Sequence, residues 1–276
     1  MSRKRLAVLG HPVAHSRSPA MQSAALAELG LGEEWSYEAI DVEADGFAGR
    51  VGAMPDEGFI GANVTVPHKL AALGLAGEAS RAAREIGAAN TLSFRDGAVI
   101  AENTDAAGLI GALGGVEPGT RALVLGGGGS ARACVWGLVG AGAEVEVWNR
   151  TADRAEELAR EIGGTATDSP QIESFAVIVN ATSVGMGRAS GREGPGLKAL
   201  PVDADALSEQ HVVVDLAYGS AETELARLAR ECGAGFVDGL EVLVHQGAAS
   251  LRLWTGMEPP VETMRRAART APDAPF

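Results

Sequence analysis

Polar side chains that could move a proton stand where predicted strands end. Asn63 and Thr65 lie two residues apart, which places them on one face of a strand, and Lys69 follows within the first turn of a helix. Asp105 closes a second polar segment, residues 102–105, where a strand gives way to a helix. A carbonyl that accepts a hydride needs a proton donor. Lysine or tyrosine is the natural candidate, because the five histidines are not paired at metal-ligand spacing and we expect no metal site.

Each of these residues also has an ordinary structural interpretation. A single lysine usually lies on the surface, and Thr104 or Asp105 could cap the helix that follows. Ser16 and Ser18 could likewise cap the first helix of the chain. Their occurrence together with a second motif, described next, favours the chemical interpretation.

A glycine-rich loop lies between a predicted strand and a predicted helix. Gly126, Gly127, Gly128, Gly129, Ser130 and Ala131 fit the pattern G-x-G-x-x-A. Glycines in such a loop allow a tight turn and let backbone N–H groups reach a pyrophosphate at the helix N-terminus. A purely structural turn is the alternative, since the chain contains 37 glycines.

The end of the next strand bears on the choice of dinucleotide. NAD enzymes place an acidic residue on the ribose about 20 residues after the glycine loop. Here the strand ends in Asn149, Arg150 and Thr151, with Arg154 one helical turn later and no carboxylate at the tip. Guanidinium groups suit a doubly charged phosphate, which favours NADP over NAD. The alternative is that both arginines pair with the neighbouring residues 156–157.

The elements that must position these residues form two series. Apolar, β-branched runs separated by helices indicate parallel sheets covered on both faces, so the predicted fold class is α/β. The first series has strands at 6–9, 37–41 and 58–62, a helix capped by Ser18 with Pro19 in its first position, and a hairpin of 92–94 and 99–101. The second has strands at 121–125, 144–148, 177–180 and 212–215. Its helices run from the glycine loop to about 140 and over 151–162, and a helical pattern follows from 239 to about 269. Residues 186–198 are rich in glycine and predict a mobile loop.

Composition excludes several function classes. The formal net charge is −13, which disfavours nucleic acid and anionic membranes as partners. Cys134 and Cys232, the two cysteines, predict neither a disulfide framework nor a cysteine zinc site. The N-terminal apolar run is short and predicts a strand, and no stretch approaches the ~20 apolar residues of a membrane span. We expect a soluble, cytoplasmic protein.

Six short motifs occur in a characteristic order. The segment GHPVAHSRSP at 10–19 has the pattern G-x-P-x-x-H-S-x-S-P, and NVTVPHK at 63–69 has the pattern N-V-T-x-P-x-K. They are followed by NTD at 103–105, NRT at 149–151, NAT at 180–182 and a segment at 238–246 that begins DGL and ends in Gln. In these motifs the chain resembles the shikimate dehydrogenase family over nearly its whole length.

The resemblance implies an NADP-dependent enzyme of aromatic amino acid and chorismate biosynthesis that interconverts 3-dehydroshikimate and shikimate. It implies a substrate-binding domain, residues 1–105 and 238–276, with a mainly parallel sheet completed by C-terminal helices, and a Rossmann-type NADP domain, residues 106–237. Lys69 and Asp105 would be the catalytic pair. The substrate would be bound by Ser16, Ser18, Thr65, Asn90, Tyr218 and Gln246. The cofactor would be bound by Gly126, Gly127, Gly128, Gly129, Ser130, Asn149, Arg150, Thr151, Arg154, Leu216 and Gly239.

Two positions depart from the usual family pattern, and some alternatives stay open. Val242 stands where methionine is usual and Ala89 where valine is common; both keep an apolar contact. A quinate/shikimate or aminoshikimate dehydrogenase would look similar, although Ser18 and Arg150 argue against the first. A glutamyl-tRNA reductase would need a cysteine before Cys134, and a non-catalytic NADP-binding regulator would have eroded the lysine–aspartate pair. The family includes monomers and homodimers, and the sequence does not choose between them.

Overall fold

The chain folds into two compact units. A computed structural model describes residues 3–185, 196–219 and 221–271. One unit comprises Met1–Gly108 and Leu243–Pro275, and the other comprises Leu109–Val242. The predicted α/β class is confirmed, whereas the predicted loop at 186–198 lies outside the described residues over 186–195.

The first unit is built on a six-stranded sheet among the described residues, in the order β2-β1-β3-β5-β6-β4. Strand β1 pairs in parallel with β2 and β3, and β5 runs antiparallel to β3 and β6. The strands are β1 (Lys4–Gly10), β2 (Trp35–Asp41), β3 (Phe59–Val64), β4 (Glu78–Ala79), β5 (Thr91–Arg95) and β6 (Ala98–Glu102). The helices are α1 (Ser18–Glu28), α2 (Phe47–Ala53), α3 (Lys69–Gly74), α4 (Arg81–Ile86) and α5 (Asp105–Leu113).

The second unit has an all-parallel sheet in the order β12-β11-β10-β7-β8-β9. Read from β9, this is the 3-2-1-4-5-6 order of a Rossmann fold, which confirms the predicted cofactor-domain type. The strands are β7 (Arg121–Leu125), β8 (Glu144–Trp148), β9 (Thr165–Ala166), β10 (Val177–Asn180), β11 (Val212–Asp215) and β12 (Gly235–Asp238). The helices are α6 (Gly129–Gly140), α7 (Ala152–Ile162) and α8 (Glu224–Glu231). Helices α9 (Gly239–Thr255) and α10 (Val261–Thr270) follow.

Strand β1 shows how the first unit buries both faces of its sheet. Leu6 and Val8 join a core cluster with buried residues of α1, α9 and α10, whereas Ala7 and Leu9 join a cluster with residues of α2 on the other side. Successive side chains of a strand point to opposite faces. Burying a leucine side chain contributes roughly 1.5–3 kcal/mol, so both layers stabilise the sheet.

The predicted hairpin of β5 and β6 is confirmed. The two strands are antiparallel, and Asp96 and Gly97 have φ of 51° and 76°. Positive φ at both central residues is the two-residue turn that an Asp-Gly pair favours, because its twist matches that of the strands. The hairpin brings the end of β6 back to the start of β5.

One predicted detail of α1 is wrong. Ser18 is the first residue of the helix rather than its cap, and the cap position falls on Arg17, which makes no side-chain capping bond. The reason is local: the backbone N–H of Ser18 donates to the Ser16 hydroxyl at 3.3 Å, so the preceding turn satisfies it and the helix begins one residue earlier. Pro19 still lies in the first turn.

Candidate active site

Lys69 and Asp105 form an ion pair at one edge of the first unit's sheet. Lys69 is the first residue of α3 and Asp105 the first of α5, and both helices start where a strand has just ended. The Lys69 Nζ atom lies 2.6 Å from Asp105 Oδ2. The two side chains are only 11% and 14% exposed, so the charges are largely shielded from water. At a buried pair, removing one partner is costly because it leaves the other charge uncompensated.

Asn90 fixes the other side of the Asp105 carboxylate. Its Nδ2 atom donates to Asp105 Oδ1 at 2.8 Å, to Thr104 Oγ1 at 2.9 Å and to Gln246 Oε1 at 3.0 Å. Its Oδ1 atom accepts from the Thr104 backbone N–H at 2.7 Å. The neighbouring Ala89 backbone N–H donates to the Lys69 carbonyl at 2.8 Å. Asn90 is therefore locked in orientation between the two members of the ion pair.

A buried polar network, which the sequence did not predict, lies next to Asn90. It consists of Tyr37, Asn63, Thr91, Thr104 and Ser250. The Tyr37 hydroxyl donates to Asn63 Oδ1 at 2.7 Å, and Asn63 Nδ2 donates to Ser250 Oγ at 2.9 Å. The hydroxyls of Thr91 and Thr104 lie 2.8 and 3.1 Å from that of Ser250. Asn63 was singled out as polar, but Tyr37 and Ser250 carry no local signal because their partners are far away in the chain.

The serine loop and Thr65 lie at the same sheet edge. Ser16 and Ser18 follow β1, and Thr65 follows β3, the parallel neighbour of β1. The Thr65 backbone N–H donates to the Leu9 carbonyl at 2.8 Å. A Cβ atom on Gly10 would overlap the Thr65 methyl group, which requires glycine there. Thr65 itself lies just beyond the end of β3, so the expected shared strand face with Asn63 ends one residue earlier than predicted.

Two histidines stabilise the loops that hold these residues. His11 Nδ1 lies 2.6 Å from Asp41 Oδ1, and Asp41 Oδ2 accepts from the Val13 backbone N–H at 3.1 Å. The hydrogen bond from His11 holds the pKa of Asp41 below its usual value. His68, which directly precedes Lys69, stacks on Phe47 with ring centroids 4.3 Å apart. Its Nε2 atom also lies 2.6 Å from the Val42 carbonyl oxygen.

In the second unit the glycine loop joins β7 to α6. Gly126 has φ of +131°, and a Cβ atom there would lie 2.9 Å from the Ala181 carbonyl oxygen, so the turn itself requires glycine. A Cβ on Gly127 would lie 3.1 Å from Arg154 Cβ, whereas one on Gly128 would meet no protein atom within 4 Å. The open space beside Gly128, at the start of a helix of 12 residues, fits an anionic group.

The predicted phosphate-binding residues lie at the end of β8. Arg150, Thr151 and Arg154 are exposed, and Asn149 Nδ2 donates to the Thr151 carbonyl at 2.9 Å. Within the described part of the chain neither arginine forms an ion pair, so the alternative pairing with residues 156–157 is not present. Two exposed guanidiniums near the glycine loop fit the phosphate that distinguishes NADP.

The ends of β11 and β12 hold the remaining predicted cofactor residues. Gly239 is the first residue of α9, and a Cβ atom on it would lie 2.5 Å from the Leu216 carbonyl oxygen. Tyr218 is half-buried and lines a cavity of about 550 Å³ within the second unit. Val242 is buried in the core of this unit, and Ala89 is buried in the first. Among the described residues no cluster of histidine, cysteine and acidic side chains could hold a metal ion.

Comparison with known proteins decides the family. Residues 8–92 match the family model of the shikimate dehydrogenase substrate binding domain, and residues 239–269 match that of the shikimate 5′-dehydrogenase C-terminal domain. A protein named shikimate dehydrogenase (NADP(+)) from Methanocella arvoryzae is 44% identical over 96% of this chain and 97% of the relative. Its namesake from Thermus thermophilus is 45% identical over 97% and 98%. The chain belongs to the shikimate dehydrogenase family.

The fold comparison agrees with this family. The crystal structure of shikimate 5-dehydrogenase from another strain of Thermus thermophilus, in complex with NADP(H) and shikimate, matches with a TM-score of 0.87. The two chains are 43% identical, over 96% of this chain and 98% of that one. The family predicted from the motifs is thereby confirmed. In the part of the chain that the structure describes, every helix is too short or too polar to cross a membrane.

In this member of the shikimate dehydrogenase family, direct hydrogen bonds join some of the predicted site residues. Hydrogen bonds join Lys69, Asp105, Asn90 and Gln246 into one cluster. Ser16, Ser18 and Thr65 share its sheet edge. Tyr218 belongs to the second unit, with the predicted cofactor residues. The roles assigned to all of these residues stay predictions.

Proposed function

We propose that this chain catalyses the reversible NADPH-dependent reduction of 3-dehydroshikimate to shikimate in the cytoplasm. The observation that carries the proposal is the shielded Lys69–Asp105 pair, held by Asn90, in a chain of the shikimate dehydrogenase family. Relatives that match nearly the whole chain carry that activity in their names.

NADP would be held by residues at the strand ends of the second unit. The backbone of residues 126–130 would bind the pyrophosphate at the N-terminus of α6. Asn149, Arg150, Thr151 and Arg154 would bind the ribose 2′-phosphate, and Leu216 and Gly239 would lie against the nicotinamide. Bound NADPH supplies a hydride, which the protein itself cannot provide.

Lys69 would exchange a proton with the reacting oxygen of the substrate. Its ammonium lies 2.6 Å from Asp105 Oδ2, which orients it and balances its charge. Asn90 occupies Asp105 Oδ1, so the carboxylate cannot rotate away without breaking both contacts. In this arrangement Asp105 also has acceptor capacity for a neighbouring ring hydroxyl. The proton donor is thus held in place before substrate binds, which is what general acid catalysis requires.

The substrate carboxylate would be bound by hydroxyl donors. Ser16, Ser18 and Thr65 lie at the sheet edge beside the ion pair, and Tyr218 and Gln246 would contribute further hydrogen bonds. Neutral donors are consistent with a chain whose net charge is −13. The protein would act as a monomer or homodimer without nucleic acid or membrane partners.

The direct test follows reduced-cofactor absorbance with purified protein, using shikimate or quinate, each with NADP⁺ or NAD⁺. We expect strong activity with shikimate and NADP⁺ alone. Comparable rates with quinate or NAD⁺ would move the protein to the broader quinate/shikimate dehydrogenases. Inactivity in all four assays, with an intact fold by circular dichroism, would contradict the proposal and favour a non-catalytic regulator.

Two variants test the assigned roles. Lys69→Ala should lower kcat by about 10²- to 10⁴-fold, the usual contribution of a positioned proton donor. The control Lys4→Ala removes an exposed lysine of β1 and should leave kcat unchanged. Arg150→Ala should weaken NADPH binding far more than NADH binding. Near wild-type kcat in the first variant, or an equal loss for both cofactors in the second, would contradict the corresponding role.

A further inference from the structure

A buried carboxylate that the proposed mechanism does not use lies at the cofactor edge of the second unit. Asp215 is the last residue of β11, and its side chain has no exposure to solvent. The next residues along the chain are Leu216, which we place against the nicotinamide, and Ala217 and Tyr218. An isolated ionised carboxylate is costly to bury, so each partner of this group has to be accounted for.

Asp215 connects the end of β10 with both ends of the loop between β11 and α8. Its Oδ1 atom accepts from Asn180 Nδ2 at 2.8 Å and from the Ala217 backbone N–H at 3.1 Å, and its Oδ2 atom accepts from the Thr223 hydroxyl at 2.7 Å. Asn180 ends the neighbouring strand β10, and Thr223 caps α8 by accepting from the Ala226 backbone N–H. The carboxylate therefore ties the loop after β10, the loop after β11 and the start of α8 to one point.

The Asn180 contact extends this cross-link. Asn180 Nδ2 also donates to the Val184 carbonyl at 3.1 Å. Its Oδ1 atom accepts from the Thr182 hydroxyl at 2.7 Å and from the Thr182 backbone N–H at 3.1 Å. The first residues after β10, 181–184, are thus folded around one amide, and that amide is held by Asp215.

The backbone of residues 215–216 also lies close to the start of α9. A Cβ atom on Gly239 would lie 2.9 Å from the Asp215 carbonyl oxygen and 2.5 Å from that of Leu216. Asp238 directly precedes this helix and caps its first turn, because its Oδ1 atom accepts from the Glu241 backbone N–H at 2.8 Å. This close approach leaves no room for a side chain at position 239, and Asp215 pairs with Asp238 in the parallel ladder of β11 and β12, so a shift of residues 215–216 would disturb the start of α9.

The energetics argue against a purely stabilising role. Burial raises the pKa of Asp215 even though three hydrogen bonds act in the opposite direction. The ionised form is therefore less favourable in the fold than in water. Perturbed pKa values of buried groups cluster at functional sites.

We propose that Asp215 is a positioning residue, which holds Leu216 and Gly239 in the arrangement that receives the nicotinamide end of NADP. This inference rests on the proposed function. Asp215 would act through the hydrogen bonds that it accepts from Asn180, Ala217 and Thr223 and would not touch the cofactor itself. Replacement of Asp215 should therefore weaken binding of the nicotinamide half of NADP and leave binding of the half that carries the 2′-phosphate unchanged.

Adenosine 2′,5′-bisphosphate, which lacks the nicotinamide, separates these two halves. We would measure by titration calorimetry the Kd of this compound and of NADP⁺ for wild type, Asp215→Ala, Asp215→Asn and Val213→Ala. Asp215→Ala should raise the Kd of NADP⁺ by about tenfold, within the usual range of about 5- to 150-fold for an indirect effect on binding, with the Kd of the bisphosphate unchanged. Asp215→Asn should restore NADP⁺ binding to within about threefold, because its amide can donate to Thr223 and still accept from the other two partners.

Val213→Ala is the matched control, since Val213 is a fully buried residue of the same strand. It should lower the unfolding temperature without changing the ratio of the two Kd values. If Asp215→Ala shifts both Kd values equally, or neither, the positioning role is wrong. If Asp215→Ala does not fold, the decision passes to Thr223→Val, which removes one of the three donors and should raise the Kd of NADP⁺ alone. Failure of wild type to bind the bisphosphate would instead contradict the proposed NADP site.

Discussion

The glycine loop allows a prediction that separates the needs of the fold from the needs of the ligand. Gly128 has an ordinary extended conformation, with φ of −95° and ψ of −175°, and a Cβ atom added to it would meet nothing within 4 Å. Alanine at this cap position costs roughly 0.5–1 kcal/mol relative to glycine. It regains about 0.4–1 kcal/mol because the unfolded chain is less flexible. The free energy of unfolding of Gly128→Ala should therefore stay within about 1 kcal/mol of wild type.

The same methyl group should interfere with the ligand. A pyrophosphate at the start of α6 needs close approach to the loop backbone, and a methyl group in a packed space costs roughly 1–3 kcal/mol. The Kd of NADP⁺ should therefore rise by about 5- to 150-fold. In Gly126→Ala, by contrast, the added atom lies 2.9 Å from the Ala181 carbonyl oxygen in a backbone with φ of +131°. That variant should lose stability before any ligand is added.

Thermal unfolding followed by circular dichroism and calorimetric titration with NADP⁺ would test both variants. The expected pattern is an unfolding temperature within about 2–4 °C of wild type for Gly128→Ala and a clearly lower one for Gly126→Ala. Wild-type affinity for NADP⁺ in Gly128→Ala would refute the placement of the pyrophosphate at this loop. Equal destabilisation of both variants would refute the steric reasoning.

Three further outcomes are expected. Tyr37→Phe removes the hydroxyl that donates to buried Asn63 Oδ1 and should lower the free energy of unfolding by about 1–3 kcal/mol in denaturant titrations, and no change would mean that another group satisfies Asn63. The lowered pKa of Asp41 means that its ionised form stabilises the fold above its usual value, 3.8, and that this contribution is lost as the pH falls through the lowered value. His11→Ala should therefore be less stable than wild type at pH 5, by less than about 1 kcal/mol because both side chains are half-exposed, and this difference should disappear as the pH falls through the lowered pKa of Asp41. Gly239→Ala should lower both the unfolding temperature and the affinity for NADP⁺, since the added atom meets backbone carbonyls, and wild-type values for both would contradict that contact.

Much of the fold could be predicted because its signals are local. Strands 121–125, 144–148, 177–180 and 212–215 were predicted with the bounds that the structure shows. Their β-branched runs are short and are bounded by turns and helices. The Asp-Gly turn at 96–97 was equally readable, because only a few residue types adopt positive φ. The two-residue strand Thr165–Ala166 and the edge strand Gly235–Asp238 were passed over, since neither shows a sequence pattern long enough to recognise.

The candidate site was predictable only in part. Motif spacing brought Lys69, Asp105 and Asn90 to attention, and the structure joins them by direct hydrogen bonds. The spacing of the motifs could not show that Asn90 binds the second carboxylate oxygen of Asp105. This contact exists because β6 runs back beside β5 and so brings Asp105 next to Asn90. The capping role predicted for Ser18 failed for a related reason: a hydroxyl two residues earlier satisfies its N–H.

The sequence by itself determined which residue types stand at the strand ends and in which order the elements follow. It also determined that arginines, which favour NADP over NAD, follow the strand after the glycine loop. Only the tertiary structure decided which buried polar groups find each other. Asn63 and Ser250 are hydrogen-bonded although they lie 187 positions apart, and Asp215 meets Asn180 from a strand 35 positions away. The physical reason is that a hydrogen bond forms only at short range and in a defined direction. A buried donor or acceptor that is left without a partner costs a large amount of free energy. Such pairs are therefore set by packing, which brings together distant segments of the chain.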